Sequence, residues 1–270
     1  MPELAEVEYY RKQWLPGHGQ EVASVRLQAE KRVFREADTA ALKAKLIGQA
    51  LTHSETHGKQ MLFIFGGRHW LGVHLGMTGR TCMEDGNYAP AQHDHLVLKM
   101  RSGIQLVFSD PRMFGRIRFA SGGDAPDWWA GLPPAVLSDA FTLDYMRAFL
   151  ARRARAPLKA VLLMQETFPG VGNWMADEIL WRCRIHPAAR AGALGPKKCI
   201  ELFDTVREVC EDAMRVIGTN WGRPPDRWLF NHRWKDGGTC PATGKPLRRR
   251  EIGGRTTCWS PAWQTYRGKT

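Results

Sequence analysis

The 270-residue chain contains no pair of cysteines at C-x-x-C spacing and no long apolar run. Its six cysteines, Cys82, Cys183, Cys199, Cys210, Cys240 and Cys258, are scattered, which argues against a disulfide framework and for reduced thiols. No transmembrane run or secretory apolar segment is visible, and acids stand where a signal peptide would be basic. A soluble, intracellular protein is therefore expected, with no membrane partner. Internal repeats and low-complexity tracts are missing, so repeat architectures are excluded. Nothing resembles the RNP or KH signatures of RNA-reading modules. Acids are also scarce relative to bases: 27 Asp and Glu against 39 Lys and Arg give a net charge of +12. That excess suits a polyanion, most simply nucleic acid, with an anionic membrane surface as the rival.

What is present divides the chain in two. Short alternating or apolar runs fill the first half: "LTHSETHG", "KQMLFIFG", "RHWLGVHLG", "HDHLVLKM" and "GIQLVFSD". Gly, Asp and Asn punctuate them, which predicts a sandwich or barrel. The composition shifts to Gly, Pro and Asp near residues 121–138, where a linker is expected. Helical periodicity follows in "FTLDYMRAFLARR", "APLKAVLLMQ", "WMADEILWRCRI" and "KKCIELFDTVREVCEDAMRVI". The end, "KPLRRREIGGRTTCWS", reads as a hairpin turning at Gly253-Gly254.

Several short stretches carry candidate chemistry. The chain opens "MPELAEVEYY". Pro2 suits a first helical turn, acids favour a helix N-terminus, and Leu4, Val7 and Tyr10 form an apolar stripe. In "FPGVGN", Gly170 and Gly172 allow close backbone approach. Asn173 sits where an N-cap belongs, so the stretch is either an anion site or an ordinary capped turn. Met77, in "HLGMTGR", stands at a Gly-rich turn tip, as a core methionine or an apolar wedge between bases. Arg112 and Phe114, in "SDPRMFGRIRF", pair a cation with an aromatic on one loop, a combination able to replace an extruded base. Lys59 lies between two predicted strands. Arg248, Arg249, Arg250 and Arg255 make the terminal hairpin a candidate ribbon for a phosphate backbone.

Taken in order, "MPELAEVE", "HGKQ", "HLGMTG", "DPRMFGRI", "PGVGNWMADEIL" and a terminal hairpin with Arg255 resemble the formamidopyrimidine-DNA glycosylase/endonuclease VIII family. The resemblance implies an α+β protein. Residues 1–125 would form an N-terminal helix and β-sandwich, 126–138 a linker, 139–234 a helix-two-turns-helix domain, and 235–270 a finger hairpin. It also implies excision of oxidised bases from damaged, double-stranded DNA by a monomer in the cytoplasm or nucleoid, with β- and δ-elimination at the abasic site and no cofactor. With Met1 removed, Pro2 would carry a secondary amine, and an α-amino group has a pKa of about 7.7–8.0. That amine would attack C1′ and give an iminium that serves as an electron sink. Glu3 matches the family's acid/base, Glu6 a second carboxylate that orders the site, and Lys59 a lysine contacting phosphate and lesion. Met77, Arg112 and Phe114 match the residues that fill the void; Asn173 and Arg255, with the Gly170–Gly172 turn, match the phosphate clamp. A catalytically idle binder of damaged or bent DNA is the alternative, although Pro2, Glu3, Glu6 and Lys59 are all present.

The chain departs from the family pattern in four places. Ala5 replaces a usual proline, and Met113 replaces a second arginine after Arg112. The family finger reads C-x2-C-x16-C-x2-C, but Thr243 and Pro261 stand where the partners of Cys240 and Cys258 should be. Structural zinc takes four N or S ligands, so a zincless finger held by packing around Trp259 and Trp263 is expected, with no metal. Finally, residues 218–234 are short for a lesion-capping loop. That favours oxidised pyrimidines, hydantoins or ring-opened purines over 8-oxoguanine, with Trp221 or Arg223 available to a flipped base.

Overall fold

A computed structural model of the chain describes residues 1–265; the last five residues of the expected finger, 266–270, lie outside the described residues. The chain separates into two compact units, one comprising residues 1–2 and 6–132, the other residues 3–5 and the described residues from 133 onward.

In the first unit, α1 (Leu4–Lys12) precedes two four-stranded antiparallel sheets. One sheet has the order β1 (Val22–Leu27), β6 (Asp94–Met100), β7 (Gln105–Ser109), β5 (Arg80–Glu84). The other runs β2 (Leu51–His57), β3 (Gln60–Phe65), β4 (His69–His74), β8 (Arg116–Ser121). Inward residues of both sheets share one core, including Met61, Phe63, Leu71, Leu96, Leu106, Phe108 and Ile117. Burial of these apolar faces drives the layering. Trp14 is sealed within that core, 4.5 Å from the Phe63 ring, with its indole N–H donating to the Val107 carbonyl at 3.2 Å.

All five strands read from the sequence are present, but β1, β5 and β8 were not foreseen. β1 has a bulge between Val22 and Ser24 that breaks its alternation. β5 and β8 are edge strands with polar outer faces, and β8 begins inside the arginine-rich stretch read as a loop. The helix α2 (Thr39–Leu46) was also unforeseen, although Asp38 caps it by accepting the Ala41 N–H at 2.9 Å.

The stretch 126–138 carries order of its own. α3 (Asp127–Ala130) sets the Trp128 indole against Gly72 of β4, where a Cβ would come within 2.7 Å of the ring. In the second unit, the Arg207 guanidinium donates to the Val136, Leu137 and Ser138 carbonyls.

That second unit packs α4 (Leu143–Arg152), α5 (Leu158–Leu162), α6 (Asn173–Arg182) and the long α7 (Pro196–Asn220) around one core. Leu4 and Ala5 of the opening segment belong to it. β9 (Arg248–Ile252) and β10 (Arg255–Trp259) form the terminal hairpin, with Gly253 and Gly254 at φ +63° and +76°. Two left-handed residues in succession are what a two-residue hairpin turn demands.

Candidate active site and nucleic-acid interface

The opening segment is anchored through its third and fourth residues. The Leu4 N–H donates to the Gly170 carbonyl at 3.0 Å. The Glu3 carboxylate, 4% exposed, accepts the backbone N–H groups of Trp174 (3.0 Å) and Met175 (3.1 Å). These are the unpaired donors in the first turn of α6, and a carboxylate there also meets the positive end of the helix.

This arrangement corrects two expectations. Asn173 is not the N-cap: Gly172 holds that position, and Asn173 is the first helical residue with no capping side-chain bond. The helix N-terminus is also not an open phosphate site, because the Glu3 carboxylate occupies the amides of residues 174 and 175. Gly170 and Gly172 do serve close approach, but to this chain's own Glu3. Gly170 sits at φ +94°, and a Cβ on Gly172 would lie 2.5 Å from Glu3 Oε1.

Pro2, half-buried, adjoins this fixed carboxylate; its nitrogen is acylated while Met1 is attached. Glu6 lies in the first turn of α1. Glu8, the third acid of the opening, is structural. Burial alone would raise its pKa, yet the Arg11 guanidinium and the Thr56 hydroxyl hold it below the usual value.

In the first unit two loops meet. Met77 is 44% exposed at the tip of the turn after β4. Phe114 is 43% exposed on the loop before β8, and the Arg112 guanidinium lies 4.7 Å from its ring centroid. Gly76, at φ +61°, lets the Met77 turn press against that loop; a Cβ there would sit 2.7 Å from the Phe114 carbonyl oxygen. Asp110, fully buried, ties the two together. Its Oδ1 accepts the Thr78 hydroxyl (2.8 Å) and the Arg112 N–H (3.3 Å), and its Oδ2 accepts the Gly115 N–H (2.7 Å). Met113, at φ +52°, turns its side chain onto the sandwich core. The three predicted loop residues thus gather on one exposed ridge.

Lys59 follows Gly58 in the β2–β3 turn and is half-buried. His74, at the end of β4, feels its charge. Burial first, then Arg116 and Lys59, push the imidazole down to about 4. The neutral ring accepts the Gly76 N–H at Nδ1 (3.0 Å) and so shapes the Met77 turn.

In the second unit, the Asn173 side-chain amide donates to the Thr256 carbonyl of β10 at 2.9 Å. Arg255, the residue before Thr256, is exposed. The Gly253 turn rests on α5, where a Cβ would lie 2.7 Å from the Ala160 methyl. Arg249 instead pairs with Asp236 (3.1 Å), and the Arg250 guanidinium lies over Trp259.

Asp110, Thr78 and His74 were missed as site-shaping residues. Asp110 was legible only as the start of an Asp-Pro turn, and nothing in the sequence shows that its carboxylate turns inward.

Residues 1–117 match the family model of the formamidopyrimidine-DNA glycosylase N-terminal domain, and residues 132–222 match that of the formamidopyrimidine-DNA glycosylase H2TH domain. The chain belongs to the formamidopyrimidine-DNA glycosylase family. Membership makes it a DNA glycosylase, an enzyme of base-excision repair. The formamidopyrimidine-DNA glycosylase of Xanthomonas axonopodis pv. citri is 34% identical, the alignment covering 98% of this chain and all of that protein. That of Thermus thermophilus is 35% identical, with 98% of each covered. Crystal structures of the Lactococcus lactis formamidopyrimidine-DNA glycosylase, one with DNA containing N7-benzyl-Fapy-dG and one with DNA containing an oxidized pyrimidine, superpose with a TM-score of 0.87. They are 26% identical over 98% of this chain and 100% of theirs.

The four-cysteine finger implied by the formamidopyrimidine-DNA glycosylase resemblance does not fit this chain. Cys240 accepts the Trp181 indole N–H at 3.4 Å, and both it and Cys258 lie in a small apolar cluster with Trp181, Leu229, Leu247 and Trp263. Burial, with the Asp177 charge nearby, pushes the Cys258 thiol up to about 12. Thr243 and Pro261 offer no thiolate or imidazole. Trp263 joins this packing as expected; Trp259 instead meets His186 edge-on.

After α7, Trp221 is 48% exposed at φ +56°, and Arg223 pairs with Asp226 at 2.8 Å. The Asn231 amide braces the stretch through the Pro224 and Pro225 carbonyls.

Proposed function

We propose that this glycosylase is bifunctional, excising oxidised bases from duplex DNA and then cleaving the abasic strand through the Pro2 amine. The observation that carries this reading is the seating of Glu3 on the N-terminus of α6, because it fixes a carboxylate beside the residue that becomes the N-terminus once Met1 is removed. The Pro2 nitrogen attacks C1′, the C1′–base bond breaks, and the base leaves with a proton. Glu3 protonates the ring oxygen as the sugar opens, leaving an iminium. The iminium acidifies the C2′ hydrogen; its loss expels the 3′ phosphate, and a second elimination expels the 5′ phosphate. Glu6 orders the carboxylate pair, and Lys59 meets phosphate and lesion.

Met77, Arg112 and Phe114 fill the space left by the everted nucleotide. The exposure of all three on one ridge tied by Asp110 supports that role. Asn173 and Arg255 contact the phosphates flanking the lesion. The short stretch 218–234, whose first three residues end α7 and which Asn231 braces beyond it, supports oxidised pyrimidines, hydantoins and ring-opened purines as preferred lesions. The enzyme acts as a monomer inside the cell and uses no cofactor.

Borohydride trapping on an abasic-site duplex tests this. A covalent adduct is expected, and peptide mapping should locate it at Pro2. A form whose Pro2 nitrogen stays acylated by an unprocessed extension should give none. No adduct with the processed protein overturns the lyase reading and leaves the idle damage binder. An adduct at another residue overturns the nucleophile assignment.

A further inference from the structure

The second unit buries a carboxylate that this chemistry does not use. Asp177, on α6, is 1% exposed and lies between two buried cations. Lys159 of α5 donates to its Oδ1 at 2.5 Å. Arg233 donates to its Oδ2 from Nε at 3.1 Å and from Nη2 at 2.6 Å. The same Oδ2 accepts the backbone N–H of Cys258 in β10 at 2.9 Å. Lys159 reaches further, donating to the Asn173 carbonyl at 2.6 Å.

One carboxylate therefore joins α5, α6, the segment that follows the turn at 229–232, and the terminal hairpin. The hairpin residue it touches, Cys258, lies three positions from Arg255 of the proposed phosphate contact. Cys258 is two positions beyond Thr256, whose carbonyl holds the Asn173 side chain, and Thr256 adjoins Arg255.

A buried carboxylate is costly unless its lone pairs are met, and here four donor contacts meet them. An apolar residue of similar volume would also fill the space, but it would impose no direction. Two cations and a strand amide converging on one carboxylate fix both the height and the rotation of β10 against α6. The demand for such a constraint is visible: Thr243 and Pro261 cannot complete a metal site, and among the described residues the cluster beneath the hairpin has five buried members, two of them, Trp181 and Leu247, at its edge.

We infer that Asp177 is a positioning residue that does for this hairpin what a metal does in a cysteine finger. Bridging Arg233 and the Cys258 amide, it holds Arg255 beside Asn173 in the geometry that meets DNA phosphates. The inference rests on the DNA-cleaving reading above.

Binding to a duplex containing a tetrahydrofuran abasic analogue, measured over a salt series, tests it. Asp177→Asn must turn an amide nitrogen toward either Lys159 or Arg233, so it breaks one arm whichever way it settles. It should weaken Kd at least tenfold and lower the slope of log Kd against log salt by about 0.9, the loss of one phosphate contact. Arg255→Ala should do the same, and the double variant should be no weaker than the worse single one, within twofold. Leu202→Ala, a core truncation, should melt earlier yet keep wild-type Kd and slope. Additive losses in the double variant, or wild-type Kd and slope in Asp177→Asn, overturn the inference. Should Asp177→Asn not fold, Arg233→Lys keeps the charge but loses the two-pronged contact. It should weaken binding and the salt slope in the same direction, and wild-type values there overturn the inference equally. Wild-type protein that fails to bind the analogue at all brings down the DNA reading itself.

Discussion

Gly172 leaves no room for a side chain beside Glu3. A Cβ at residue 172 would lie 2.5 Å from the Glu3 Cγ and Oε1 atoms, and the backbone there is extended, so the glycine is required by contact and not by its φ. Gly172→Ala should therefore push the Glu3 carboxylate off the Trp174 and Met175 amides. General acid–base catalysis contributes about 10²–10⁴-fold. The single-turnover excision rate on a duplex carrying a formamidopyrimidine base should fall about 10²-fold or more, approaching Glu3→Gln, while Kd moves only a few-fold. An unchanged rate would show that Glu3 works from another position.

Asp110 makes a comparable prediction in the first unit. Asp110→Ala removes the acceptor for the Thr78 hydroxyl and for the Arg112 and Gly115 amides. Each buried donor left unpaired costs about 1–3 kcal/mol. Urea unfolding should show a loss of about 3 kcal/mol, with Asp110→Asn costing less because one carbonyl oxygen remains. On an abasic-site duplex, Asp110→Ala should slow the single-turnover rate about as much as Phe114→Ala. A rate unaffected by Asp110→Ala would separate this carboxylate from the exposed ridge.

How far the sequence reveals these features follows from what each depends on. The Met77, Arg112 and Phe114 ridge was legible because glycine, proline and exposed apolar residues mark turns locally. The terminal hairpin was legible from Gly253-Gly254 for the same reason. The role of Asp110 was hidden, since an Asp before proline reads as a turn former whether its carboxylate faces water or protein. The Asn173 cap was misread because the true capping carboxylate, Glu3, lies 171 residues away in sequence. No local pattern reports a partner at that distance. The edge strands β5 and β8 were hidden by their polar outer faces, and the Asp177 bridge by three partners far apart in the chain.

Metal content follows from the finger. Thr243 and Pro261 cannot supply ligands, so Cys240 and Cys258 alone leave a structural zinc two donors short. Elemental analysis of the purified protein should find no stoichiometric zinc. Chelators should leave both the thermal midpoint and the cleavage rate unchanged. One zinc per chain would overturn the zincless assignment.

His74 gives the fold a definite pH signature. Burial and the neighbouring Arg116 and Lys59 charges hold its folded pKa near 4, against 6.5 unperturbed. Between those values the unfolded chain binds a proton that the folded chain does not, so stability rises with pH across that window. The contribution is fully present above pH 6.5 and is lost as pH falls toward 4, up to about 3 kcal/mol at about 1.36 kcal/mol per unit. Carboxylates titrate in part of the same range, so the informative quantity is the difference between wild type and His74→Gln. Urea midpoints measured from pH 7 to pH 4.5 should fall more steeply for wild type, and the two curves should converge toward the acid end. At neutral pH the variant should be the less stable of the two, because the Gly76 amide loses the imidazole Nδ1 acceptor. Parallel curves across the window would mean that His74 keeps its ordinary pKa in the folded protein, and coincident curves that the Met77 turn is also shaped without it.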